Sequence, residues 1–422
     1  DVKGSETTMG ALRRSFAEEV RACADDGEIV ALAGKLVSIP SCHGLPKPEE
    51  EIASFLHGFL RENGVESCLV PLGEGHWNVL ASIGGKGGGT DPWNGGEAGL
   101  LLNGHLDTVG VDGMEGDPFS GAVVNGMLSG RGSVDMKGAV AAMVMALVAL
   151  RRSGVRLSKP LLFSAVADEE WWSTGTRALL ESGVRARYAI VGEPTQLEIH
   201  HGHRGLEWLE IRVQGRYAHG GAPERGINAI VKMNAVVTAL TERLLPQIAQ
   251  RVHPIAGPAT LNLGRIEGGL QPSTVAGSCL LQLDRRWIPG ESSKGVTAEI
   301  AELLEDLSGK DPDFFAQVVP MRDREVHPGD NPPLCTDPSS PLVQSLVAFM
   351  TERRGGSRLG LFPAWSDGGL LSEAGIETVV FGPGDLALAH SMNEVCPVAD
   401  ILDACDGYIA AAVELCGARG AA

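Results

Sequence analysis

The sequence predicts an α/β fold interrupted by an inserted α+β domain, and three observations carry that prediction. Up to Val191, short β-rich runs alternate with segments whose apolar residues recur at helical spacing. From about Thr195 the texture changes, and half-buried strands mix with two amphipathic helices as far as residue 310. After a Pro-rich loop, Pro328–Pro341, the helices Pro341–Arg353 and Ala399–Cys416 close the chain. The reading therefore assigns 1–194 and 311–422 to one domain and 195–310 to the insert.

The elements follow in order. Phe16–Ile39 reads as one helix stopped before Pro40, and Glu49–Glu62 as another with Gly64 beyond its end. Ser67–Leu72, Asn78–Ile83 and Leu100–Leu102 are β-rich. Gly84–Gly99, dense in glycine and containing Trp93, has no periodic apolar face and reads as a hairpin tip or insertion. Gly138–Arg152 is a helix, while Leu161–Ala167 and Tyr188–Val191 are apolar strands that run into acidic residues. Strands without polar alternation belong in a sheet covered on both faces. Ligands of open α/β sheets lie beyond the carboxyl ends of the strands, where these acids fall. In the insert, Glu207–Gln214, Ala259–Ile266 and Cys279–Arg286 read as strands, and Ile227–Leu245 and Lys294–Leu307 as helices.

Composition excludes several functions. The 422 residues are 43% hydrophobic, ample for a large core. With 53 acidic against 35 basic residues, the net charge of -18 repels phosphate backbones and argues against nucleic-acid binding. The longest apolar run, Ala139–Leu150, falls short of the ~20 residues that a membrane helix needs. Eight scattered cysteines without CxxC spacing read as reduced and mostly buried thiols, which favours the cytoplasm; residues 1–30 show a charged helical pattern rather than a signal-peptide core.

Chemistry gathers at a few positions. His105 and Asp107 sit two apart at a strand end, suited either to a structural hydrogen bond or to a metal-bound imidazole steadied by a carboxylate. Asp135, in the turn Gly130–Gly138, is either a helix cap or a carboxylate offering both oxygens to two cations. Asp168–Glu169–Glu170 is either an acidic surface turn or a metal ligand beside a base. Glu193 ends another strand, and His390 follows the loop Phe381–Gly384. Together His105, Asp135, Glu170, Glu193 and His390 make an N/O donor set suited to zinc, cobalt or manganese, and large enough for two cations.

The order and wording of these pieces resemble the family of acetylornithine deacetylase, succinyl-diaminopimelate desuccinylase and carboxypeptidase G, which are dinuclear metal hydrolases. The resemblance spans about Ala31 to Cys416. It runs through Gly104–Asp107, Gly130–Gly138, Asp168–Glu170, Gly192–Thr195, Tyr217–Gly221, Gly226–Ala229, Asp284–Arg286, Ser366–Gly368 and His390. It implies a mixed-sheet, metallopeptidase-like catalytic domain with an inserted α+β lid and dimerisation domain, hence a homodimer through 195–310. His105 and Glu193 would hold one metal, Glu170 and His390 the other, and Asp135 both, with the peptide bond after Asp135 often cis. The cations would be zinc first, cobalt or manganese otherwise, with single-metal occupancy as a variant. Asp107 would orient His105. Glu169 would be the general base that activates a metal-bound water and then protonates the departing nitrogen. His219 would reach the oxyanion from the partner subunit. Arg286 would grip a substrate carboxylate, with Ser273 and the backbone of Gly382 and Gly384 near it.

Two features depart from the family pattern. Ser273 stands where Asn is usual, and Trp171–Trp172 stand where small residues usually follow the paired glutamates. The leading expectation is amide hydrolysis of a small N-acyl amino acid or related carboxylate, in the manner of acetylornithine deacetylase. An aminohydrolase releasing ammonia from an amine-bearing carboxylic acid, aromatic ones included, is the alternative, and a non-catalytic binder on the same fold is the third. His200, His201 and His203, at the expected hinge, are read as structural.

Overall fold

The protein's computed structural model describes residues 15–84, 97–321 and 330–419. Residues 85–96, which hold Trp93 and most of the expected insertion, lie outside that description. The chain divides into two units, one built from 1–202, 336–362 and 366–422, the other from 203–335 and 363–365.

The first unit holds an eight-stranded mixed sheet. Its strands are β1 (Glu66–Gly73), β2 (His76–Ile83), β3 (Ala98–His105), β4 (Leu161–Val166), β5 (Ala186–Val191), β6 (Ile199–His200), β7 (Leu359–Gly360) and β8 (Glu377–Val380). They lie in the order β1-β2-β4-β3-β5-β8-β6-β7. Side chains alternate across the sheet, so Leu100 and Leu102 enter one core while Leu101 enters the other with Leu162 and Ala189. Burial on both faces is why these strands carry no polar alternation. The helix Lys137–Ser153 is buried at every position from Lys137 to Leu150, and it packs against the helices Asp26–Val37 and Val398–Leu415. Ala139–Leu150 is thus a core helix, and among the described residues no helix is long and apolar enough to cross a membrane.

Three neighbours set up the site. β4, β3 and β5 are mutually parallel, with His105 opposite Val166 and Asn103 opposite Val191. Their carboxyl ends therefore share one edge, where His105, Asp168–Glu170 and Glu193 emerge together.

The single helix expected over 16–39 is broken. Residues 15–21 form a short helix, and a second starts at Asp26, where the Asp25 side chain accepts the N–H of Glu28. An N-cap of this kind satisfies an orphan donor and ends continuity that apolar spacing alone does not reveal.

The second unit contains a four-stranded antiparallel sheet in the order Thr260–Gly268, Ser278–Trp287, Gly205–Gln214, Phe315–Pro320. Helices Ala229–Ala239 and Ser293–Ser308 cover it around Leu209, Ile211, Met233, Leu281 and Ile300. This unit continues to residue 335, beyond the expected 310. The reason is Phe315–Pro320, an edge strand paired with Gly205–Gln214 whose side chains are at most half-buried and so carry a weak pattern. None of the eight cysteines is joined in a disulfide.

Candidate metal centre

His105 ends β3, and its Nδ1 donates to the carbonyl oxygen of Asp107 at 2.9 Å. That bond leaves Nε2 to face Asp135 Oδ1 at 2.9 Å and Glu193 Oε1 at 3.6 Å. The Asp107 carboxylate lies 3.7 Å from Nδ1 and does something else. Its two oxygens accept the N–H groups of Glu169 and Glu170, at 3.1 and 3.0 Å. Asp107 thus orients the imidazole through its backbone and the paired glutamates through its side chain. The turn they occupy is closed by Asp168, at a φ of 62°, whose carbonyl accepts from both Trp172 and Ser173.

Asp135 lies just before the buried helix Lys137–Ser153, and the bond following it, to Met136, is cis. Its Oδ1 meets His105; its Oδ2 lies 3.2 Å from Nε2 of His390, which is 3.1 Å from Glu170 Oε1. One carboxylate therefore spans two imidazoles. Behind it, Glu394 Oε1 accepts the N–H groups of Val134 and Asp135 at 2.9 and 3.1 Å, while Oε2 takes Arg131 Nη1 at 2.6 Å. Lys137, fully buried, donates to the carbonyl of Ile39 at 2.8 Å, and burial pulls its pKa down to about 7.

The electrostatics are those of a site built for cations. Burial holds Glu169 well above the usual carboxylate range, with Glu193 adding to the effect. Burial likewise raises Glu193 and Glu170, each with Asp135 as the next cause. For Asp135 burial opposes ionisation, but hydrogen bonds from His105 and His390 outweigh it and depress its pKa. His390 is pushed up to about 10 by Asp135 and Glu170. Four carboxylates thus crowd two imidazoles, and Glu193 Oε1 is buried without a hydrogen-bond partner. Ligand atoms of His105, Asp135 and Glu170 lie within 4.8 Å of one another, as do those of His105, Glu169 and Glu193. Divalent cations fit this donor set, since they offset the charge repulsion that burial intensifies.

The model of Peptidase family M20/M25/M40 matches residues 101–414. The chain belongs to this family. It is 31% identical to acetylornithine deacetylase from Myxococcus xanthus, over 86% of this chain and 87% of that one. To N-formyl-4-amino-5-aminomethyl-2-methylpyrimidine deformylase from Bacillus subtilis it is 30% identical, over 89% and 92%. In fold it is similar to the solved structure of aminopeptidase PepT from Bacillus cereus, with a TM-score of 0.73 at 21% identity, covering 93% of this chain and 99% of that one. This M20-family chain is a metal-dependent hydrolase acting on C–N bonds, and its catalytic fold is the mixed α/β fold of the family.

The remaining expected residues fall elsewhere. His219 is exposed in the second unit, in a two-residue strand paired with Thr274, and its Nδ1 accepts the N–H of Gly221 at 3.1 Å. Ser273 is its neighbour there, its carbonyl accepting from Gly220 at 2.7 Å. Arg286 points its fork at Asp284, with bonds of 2.7 and 3.0 Å. The expected anion nest at Gly382 and Gly384 needs correction at its first member. The N–H of Gly382 donates to Thr195 Oγ1 at 3.2 Å, and a Cβ there would lie 2.2 Å from the carbonyl oxygen of Gly192. Gly382 is therefore a close-approach residue bracing the Glu193 loop rather than a free donor; Gly384, at a φ of 87°, gives its carbonyl to Gln196. His200, His201 and His203 bond separately to Glu198, the Thr336 carbonyl and the Arg204 carbonyl, and none joins a metal-type cluster among the described residues.

Sequence reasoning gave no role to Glu394, Arg131 or Asp367. Asp367 is buried, accepts from Thr176 Oγ1 at 2.6 Å, and burial raises it to about 6. Its only sequence signal was membership of the Ser366–Asp367–Gly368 wording.

Proposed function

We propose that this enzyme hydrolyses the amide bond of a small N-acyl amine bearing a free carboxylate, releasing a short acid. The observation that carries the reading is Asp135, one oxygen on each of two imidazoles, with the raised carboxyl of Glu169 beside them. The names of two similar relatives support the size of the acyl group, since one removes acetyl and the other formyl.

In this reading His105 and Glu193 would hold one cation, Glu170 and His390 the other, and Asp135 would serve both; zinc is the first candidate and cobalt or manganese the next. Such cations lower the pKa of water and polarise a carbonyl oxygen. Glu169 accepts the proton of the attacking water and passes it to the departing nitrogen. A carboxyl held above its usual range keeps that proton long enough to deliver it. Arg286, a planar fork, is the group assigned to the substrate carboxylate, exchanging Asp284 for it.

The test is a mass-spectrometric panel of N-acetyl, N-formyl and N-succinyl amino acids and of free amino acids, with the metal-loaded enzyme. Acid and amine are expected from the N-acyl members, loss of turnover with chelator, and its return with added Zn²⁺, Co²⁺ or Mn²⁺. Ammonia without acid overturns deacylation and makes the enzyme an aminohydrolase.

We also propose a homodimer formed through the second unit. Supporting it, Ile230, Val231, Ile266 and Leu270 are exposed on that unit's helix, edge strand and following turn. Light scattering is expected to give twice the chain mass, falling toward the monomer in Val231→Glu/Ile266→Glu.

A further inference from the structure

We propose that His43 and Trp171 form a stacking shelf that selects substrates carrying a planar aromatic or heteroaromatic group near the scissile amide. The proposal rests on the amide-hydrolase reading above and names its substrate class more narrowly.

Trp171 follows Glu170 directly, so the two Cα atoms are only ~3.8 Å apart. The Asp107 carboxylate fixes the backbone entering Trp171, through the N–H groups of Glu169 and Glu170. The bond from Trp172 N–H to the Asp168 carbonyl, at 3.0 Å, fixes the backbone leaving it. His43 is tied to the residue after Asp107, because its N–H donates to the carbonyl of Thr108 at 2.8 Å. The imidazole and indole lie stacked, with centroids 4.4 Å apart and planes at 16°. Trp172 meets Trp171 edge-on at 6.3 Å and 89°, backing it.

Despite these contacts Trp171 is 53% exposed. An indole left this open contributes little to a core. What it offers is π surface held on an anchored turn, one residue from a metal-ligand candidate. Stacked and edge-on arrangements reward flat rings over saturated rings of the same size. A saturated ring buries similar area but lacks the quadrupole, so the difference between them isolates the shelf.

The experiment uses matched pairs: N-acetylphenylalanine against N-acetylcyclohexylalanine, and N-benzoylglycine against N-cyclohexanecarbonylglycine. The planar member of at least one pair is expected to be favoured about 2- to 10-fold in kcat/KM. Trp171→Leu, which stays apolar, should bring that ratio to about 1, Trp171→Phe should restore part of it, and His43→Ala should reduce it. A merely structural role for Trp171 would lower both members together and leave the ratio intact. Calorimetric binding of the same pairs to Glu169→Gln reads the shelf without turnover. A planar preference in binding, with no amide hydrolysed by the unsubstituted enzyme, overturns the amide reading alone. Hydrolysis with equal ratios, or a ratio that survives Trp171→Leu, overturns the shelf alone.

Discussion

Glu169→Gln is expected to lower kcat by about 10²-fold or more while leaving metal content that of the unsubstituted enzyme. Gln keeps the volume and one of the two side-chain oxygens but cannot carry a proton between water and the leaving nitrogen. The backbone should hold, because the bond from Glu169 N–H to Asp107 does not depend on the side chain. Burial and the neighbouring Glu193 put the Glu169 carboxyl where an acid–base shuttle works, well above an exposed glutamate. The same neighbourhood permits a competing role, since an oxygen of Glu169 lies within 4.8 Å of ligand atoms of His105 and Glu193. Metal analysis after gel filtration separates the two. Retained metal with lost turnover assigns the shuttle; lost metal makes Glu169 a ligand; retained metal with near-normal turnover removes it from the chemistry.

The site was readable in sequence wherever a local pattern coincided with a strand end. Leu161–Ala167 and Tyr188–Val191 are apolar runs that break into acids. A parallel sheet buried on both faces gives no other reason for that break. His105 and Asp107 illustrate the limit of such reading. A spacing of two allows the imidazole to bond either the carboxylate or the carbonyl, and the fold selects the carbonyl because the carboxylate is occupied by Glu169 and Glu170. Glu394 was invisible for a different reason, and Asp367 showed only within the Ser366–Asp367–Gly368 wording, without a role. Each looks locally like a surface acid, and its partners lie far away in the chain, at Arg131 and Asp135 for one and Thr176 for the other. Gly382 misled because a Gly-Pro-Gly loop suggests open N–H groups, whereas its real constraint is the 2.2 Å approach of the Gly192 carbonyl to any Cβ placed there. The fold boundary at 335 slipped because the edge strand Phe315–Pro320 buries too little to leave a strong alternation.

Glu394→Ala is expected to destabilise the protein by about 3–5 kcal/mol and to weaken metal binding by about 10- to 100-fold. Glu394 is buried and so is Arg131, so removing the carboxylate strands a guanidinium away from water. It also leaves the N–H groups of Val134 and Asp135 without their acceptor, at the turn that aims Asp135 between His105 and His390. Glu394→Gln distinguishes the two losses. Its amide oxygen can still accept from both N–H groups, but its NH₂ then faces Arg131 Nη1, donor against donor. If the backbone bonds position Asp135, Gln should recover much of the metal affinity while Tm stays low. If the ion pair with Arg131 is what holds the turn, affinity and Tm should fall together in both variants. Thermal unfolding and competition with a chromogenic chelator measure the two quantities separately, and unchanged affinity in Glu394→Ala would show that Asp135 needs no such brace.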